Sequence, residues 1–125
     1  MNRHRIRQWA ASFGFLAVLL GAFGAHGLQE RLMELNRVET WETAVFYHFI
    51  HALALFGLSL MPRPSKGAVY GFIIGILIFS GSLYVLSLTG ITKLGAITPI
   101  GGLSMMVGWG CLFFSKKEIE VKSTS

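Results

Sequence analysis

Residues 67–88 read GAVYGFIIGILIFSGSLYVLSL. Not one Asp, Glu, Lys, Arg or His interrupts them. At about 1.5 Å of rise per residue a helix of this length matches the roughly 30 Å of hydrocarbon in a bilayer. The run is also punctuated as a helix should be. Pro62 and Pro64 precede it, Ser65 stands where an N-cap is needed, and Gly90 follows as a left-handed stop. In lipid every backbone polar group must be satisfied internally, and the period-two alternation of barrel strands is absent. This segment therefore predicts a membrane-spanning helix.

Three more apolar runs resemble it, at about 9–27, 41–61 and 97–114. The expectation is an all-α polytopic membrane protein, one domain over residues 1–125, with four transmembrane helices. Between the first two spans, LQERLMELN places Leu28, Leu32 and Leu35 on one helical side and Gln29, Glu30, Arg31 and Glu34 on the other. That pattern fits a short helix at the membrane surface, or equally a solvated loop helix. Asn36 with Glu39 reads as a capping pair before the second span, and Thr98-Pro99 as cap and first-turn proline of the fourth.

Composition agrees. The 125 residues are 53% hydrophobic and 14% charged, where soluble domains carry about 25% charged residues. So short a chain cannot hide that much apolar surface inside a water-facing globule. The net charge of +5 comes from clusters flanking the spans. Arg3, Arg5 and Arg7 precede the first, Arg63 and Lys66 separate the second from the third, and Lys116, Lys117 and Lys122 follow the fourth. Only Arg31, Arg37 and Lys93 fall on the other side. The bias predicts both termini, with their basic tails, in the cytoplasm of a bacterial plasma membrane. Membrane lipids are the expected partners, with a homo-oligomer or a membrane-protein partner beside them. Without base-stacking aromatics among the basic residues, nucleic acid is not expected. The N-terminus also has the outline of a secretory leader, with small residues at Ala22 and Gly24. Its apolar run is longer than a leader core and is read as a retained helix. The lone cysteine, Cys111, excludes an intrachain disulfide and reads as packing.

Small residues recur at helical spacing: Gly67, Gly71 and Gly75; Ala17, Gly21, Gly24 and Ala25; Gly101, Ser104, Gly108 and Cys111. Membrane helices associate by close packing, which such stripes permit. The glycines of GAFGAHGL, residues 21–28, do not match a phosphate-binding loop.

Ionisable groups inside a membrane are candidate functional residues. His26, His48 and His51 qualify, while His4 belongs to the basic tail. His48 and His51 share a helix face beside Tyr47. From the helical rise, His26 lies roughly 5 Å deep, His48 roughly 10 Å and His51 roughly 15 Å, so the three rings are expected to meet in a polar cavity in the outer half. Imidazoles bind metal or haem, relay protons, or hold a polar headgroup; equally, they bond across helices as structure. No Cys or carboxylate has matching ligand spacing, Glu42 projecting from another face, and no cofactor is assigned. Nothing resembles a nucleophile motif or paired carboxylates, so no enzyme activity is expected.

The motifs GAFGAHGL, WETAVFYHFIHALAL, FSGSLYVLSLTG and ITPIGG, with GW further on, occur in order from Phe13 to Trp109. In this they resemble the YgdD/YwdK family of small bacterial inner-membrane proteins. The resemblance implies four membrane helices and no assigned substrate. It marks the GAHG region, Tyr47, His48, His51, Ser80, Gly81, Ser82, Tyr84, Thr98, Pro99, Gly101 and Gly102 as signature positions. It speaks against loss of the first segment, and makes Ser80, Ser82, Tyr84 and Thr98 candidate polar support for the histidines. The leading expectation is an accessory or scaffold protein. The alternative is a small transporter or binder of metal, proton or lipid headgroup using His26, His48 and His51.

Overall fold

The computed structural model describes residues 1–116, and all regular elements among them are helical. Lys117 and Lys122, counted above in the basic C-terminal tail, lie outside the described residues.

Helix α1 spans Arg3–Ala25. Asn2 caps it, its Oδ1 accepting from the Arg5 N–H at 2.8 Å. The stretch expected as a basic tail is thus the first turns of the helix, because Ile6 and Ala10 pack into the core below it. Helix α2, Gln29–Glu34, buries Leu32 and leaves Glu30, Arg31 and Glu34 exposed. Asn36 does not cap the next helix. It sits at φ 55° and closes α2, its N–H bonding Met33 O and that of Arg37 bonding Leu32 O. Asn tolerates this left-handed position better than most residues. Helix α3, Val38–Ser59, then begins after Arg37 with no side-chain cap.

Helix α4, Lys66–Gly75, starts at Ser65, whose Oγ accepts from the Ala68 N–H. It continues through a π-helical turn, Ile76–Ser80, into α5, Gly81–Thr89, and stops at Gly90 with φ 73°. No local signal in the sequence announces the π turn. It presents Phe79 to Gly101 and Ser80 to α3. A 3₁₀ segment, Thr92–Ala96, leads directly into α6, Thr98–Phe113. Thr98 is therefore the first helical residue rather than the cap.

Among the described residues, three stretches are long and apolar enough to cross a membrane: Arg3–Ala25, Lys66–Thr89 and Thr92–Phe113. Helix α3 has the length, but Glu39, Glu42 and two histidines dilute its apolar character.

The helices run up and down. Trp41 meets Gly24, Val45 faces Gly21, and His48 lies against Phe13, so α1 and α3 are antiparallel. Gly67 faces Cys111, Gly71 faces Gly108, and Gly75 faces Met105 and the Gly101 carbonyl, so α4 and α6 are antiparallel too. A Cβ on Gly71 would stand 2.8 Å from the Gly108 Cα and 3.0 Å from the Ser104 carbonyl oxygen. Only glycine lets the two backbones come this near. At Gly108 an added Cβ would meet the Phe72 ring at 2.8 Å. Phe13, Leu55, Leu58, Val69, Phe72 and Ile76 form the main core. The outward faces carry Phe15, Val18, Phe46, Leu53, Met106 and Phe113, all exposed. So much apolar exterior suits an acyl-chain solvent.

Candidate functional site

Polar side chains in the interior lie mostly between helices, and α3 carries the two that matter most. His51 is 4% exposed. Its Nδ1 lies 2.7 Å from the Tyr47 carbonyl oxygen one turn back, and the Trp109 Nε1–H donates to its Nε2 at 3.0 Å. Indole nitrogen can only donate, so Nε2 is the acceptor and the proton is on Nδ1. Both ring nitrogens are thereby committed and the neutral tautomer is set. Phe72 and Trp109 close on the ring edge-on, at centroid distances of 5.3 and 5.8 Å. The Tyr47 ring is half exposed, with its centroid 6.3 Å from that of His51 and 4.7 Å from that of Phe79.

His48, 3% exposed, faces the other way. Its Nδ1 lies 2.7 Å from the Tyr84 hydroxyl on α5. The ring sits edge-on to Phe13 of α1 at 5.8 Å. Nε2 is buried and has no hydrogen-bond partner. Ser87, a turn beyond Tyr84, has a second buried hydroxyl without a partner.

His26 does not join them. It is the exposed C-cap of α1, its backbone N–H bonding Ala22 O and Phe23 O. Phe13, against which His48 packs, lies thirteen residues earlier on the same helix, a separation of roughly 20 Å. The expectation of three rings meeting in an outer cavity therefore fails. Antiparallel packing sets His48 at the level of Phe13, well below the end of α1. Among the described residues no three His, Cys, Asp or Glu side chains gather as a metal site. The three-histidine ligand set consequently does not form.

The supporting polar residues bond between helices. Ser80 Oγ donates to the Ala44 carbonyl at 2.8 Å, tying the π turn to α3. The Ser82 and Thr98 hydroxyls meet at 2.7 Å, tying α5 to α6. Bonds that sequence spacing does not reveal complete the set. Ser104 Oγ donates to Gly71 O at 2.9 Å across the closest helix pair. Trp41 Nε1 donates to Leu20 O at 2.9 Å, and Arg31 Nε to Leu88 O at 3.2 Å. The indoles could have been anticipated, since a half-buried Trp N–H usually finds an acceptor. Hydroxyl-to-carbonyl bonds leave no trace in sequence.

A concave site lies elsewhere. A groove of about 560 Å³ runs between α1, α2 and α3, over Gly21, Trp41, Val45 and Phe49, with Gln29 and Glu42 toward the α2 end. None of the three histidines lines it.

Apolar exterior, close helix contacts and interhelical polar bonds define a small helical membrane protein. Comparisons with known proteins agree. Residues 20–102 match the family described as "Protein of unknown function (DUF423)". The UPF0382 membrane protein YwdK of Bacillus subtilis is 45% identical over 100 residues, covering 75% of this chain and 80% of its own. A UPF0382 membrane protein of Schizosaccharomyces pombe is 42% identical over 112 residues, covering 82% and 93%. One from Haemophilus influenzae is 39% identical over 100 residues, covering 77% and 80%. The chain belongs to the DUF423 family of UPF0382 membrane proteins. No solved structure matches it.

Proposed function

We propose that the protein is an accessory or scaffold component of the plasma membrane, crossing it four times. Helix α3 is the fourth crossing and both termini are cytoplasmic. The observation that carries the reading is the use of the polar side chains. Those of His51, Ser80, Ser82, Thr98, Ser104 and Trp109 are bonded between neighbouring helices. Such bonds specify which helices meet. The close contacts at Gly71, Gly101 and Gly108 serve the same end, giving a rigid body with its apolar faces outward. An exterior of this kind suits lateral partners in the bilayer.

Topology and role are tested separately. In a Cys111→Ala background, a cysteine at Asn36 should react with a membrane-impermeant maleimide on intact cells, and one at Lys66 only after lysis. Equal reaction at both would remove α3 from the membrane. For the role, crosslinking in cells followed by purification should recover a stoichiometric membrane-protein partner or a homo-oligomer. Proton or metal flux in proteoliposomes that disappears in His48→Ala would sink the scaffold reading. It would support a second one, binding or transport at His48, which the unpartnered Nε2 favours.

A further inference from the structure

The groove between α1, α2 and α3 is not used by any of the polar bonds above, except that Trp41 forms part of its wall. Its volume, about 560 Å³, lies within the roughly 300–1,000 Å³ of small-molecule sites. Its length is informative. On α3 it reaches from Val38 to Ile50, which is about 18 Å of helix. Half the hydrocarbon thickness of a bilayer is about 15 Å. The groove thus runs the depth of one leaflet, starting at the end of the bundle away from the described N-terminus. Its deep part is apolar, with Gly21 leaving the floor low and Phe49 and Ile50 as the wall. Its shallow part carries the Glu42 carboxylate and the Gln29 amide. Glu39, one turn before Glu42, lines an adjoining depression with it. Neither carboxylate has an ion-pair partner among the described residues. One amphiphile is complementary to both ends.

We infer that this groove binds one phospholipid carrying a primary amine, with its ammonium on Glu42 and an acyl chain laid over Gly21 toward Ile50. A primary ammonium is cationic and donates hydrogen bonds, matching a carboxylate and an amide oxygen. A trimethylammonium headgroup keeps the charge but has no N–H to give, and an anionic glycerol headgroup is repelled. The inference rests on α3 crossing the bilayer, which the maleimide pattern above decides independently.

The test uses the full chain in mild detergent and native mass spectrometry. Dioleoyl phosphatidylethanolamine, phosphatidylcholine and phosphatidylglycerol are added in equal amounts. The expected result is one retained phosphatidylethanolamine per chain, favoured over the other two. Glu42→Gln should lower that retention about fivefold, as loss of a partly solvated charge contact of about 1 kcal/mol implies, while leaving the helical circular dichroism unchanged. Ala25→Phe, which fills the groove from its α1 side, should reduce retention of all three lipids. Equal retention of the three lipids, or Glu42→Gln behaving as wild type, would overturn the headgroup assignment. Unchanged binding in Ala25→Phe would overturn the site. A lipid-free dimer crosslinked through cysteines placed at Phe46 or Phe49 would show that a second copy fills the groove instead.

Discussion

Gly71→Ala isolates the contact on which the α4–α6 pair depends. In an isolated helix this change is favourable by about 1 kcal/mol, because alanine restricts the unfolded backbone. Here the added methyl would stand 2.8 Å from the Gly108 Cα, 3.0 Å from its nitrogen and 3.0 Å from the Ser104 carbonyl oxygen. All three are backbone atoms, so no side chain can rotate away and the helices must separate. Overpacking of this kind costs about 1–3 kcal/mol. Separation also stretches the 2.9 Å bond from Ser104 Oγ to Gly71 O, and such interhelical bonds average about 0.6 kcal/mol in membranes. The propensity gain offsets part of this, leaving a net loss of about 1–2 kcal/mol. Gly110→Ala is the matched control on α6, since a Cβ there meets nothing within 4 Å. Unfolding by increasing SDS in mixed micelles, followed by tryptophan emission, ranks the variants. Gly110→Ala should equal or exceed wild type and Gly71→Ala should fall below it. A Gly71→Ala protein as resistant as Gly110→Ala would refute the backbone contact.

Four other substitutions probe the polar bonds by the same unfolding assay. His51→Phe keeps the ring volume but removes the acceptor of Trp109 Nε1 and the donor to Tyr47 O; it should lose about 1 kcal/mol and shift the Trp109 emission, and an unchanged spectrum would argue against that bond. Tyr84→Phe and His48→Phe should be non-additive, with a coupling of about 0.5–3 kcal/mol for residues in one hydrogen bond; strict additivity would deny the pairing. Trp41→Phe removes the bond to Leu20 O but keeps the ring over Gly24; it should lose about 0.5–1.5 kcal/mol, and a larger loss would mean that indole shape rather than the N–H holds α1 to α3.

Element positions were largely legible because membrane helices must be long, apolar and internally bonded. The stretch around 67–88 came out as Lys66–Thr89 with both of its expected ends. Asn36 suits an N-cap and a left-handed C-terminal position equally, and only the fold decides between them. The three histidines stand apart for a geometric reason. Helical rise gives depth from a helix end, and that is a common depth only when the ends are level. In the fold Trp41 sits beside Gly24 and Leu20, while His48 pairs in level with Phe13. Shared burial was readable from the apolar context of His48 and His51; their opposite directions, one to Tyr84 and one to Trp109, depend on the neighbours of α3 and not on its own residues. The groove is not legible in the sequence because its lining comes from three helices and its polar residues, Gln29 and Glu42, look like ordinary surface positions.

Helix α3 joins these observations. It carries two histidines, two glutamates and a tyrosine within Val38–Ser59. It is also the helix that others surround. α1 lies against it through Trp41, the π turn through Ala44, α5 through His48, and α6 through His51. A lone helix of this composition would expose imidazoles to acyl chains, at a penalty of kilocalories. With both imidazoles covered by its neighbours, the same helix supplies the bonds that fix their arrangement. If α3 is the fourth crossing proposed here, its polarity is the reason the bundle has one arrangement, and its insertion should depend on the helices around it. Deleting α4 to α6 should then leave Asn36 and the end of α3 on the same side of the membrane in the maleimide assay. An α3 that still crosses in that truncated chain would show that its own hydrophobicity suffices, and would separate its polar residues from any role in assembly.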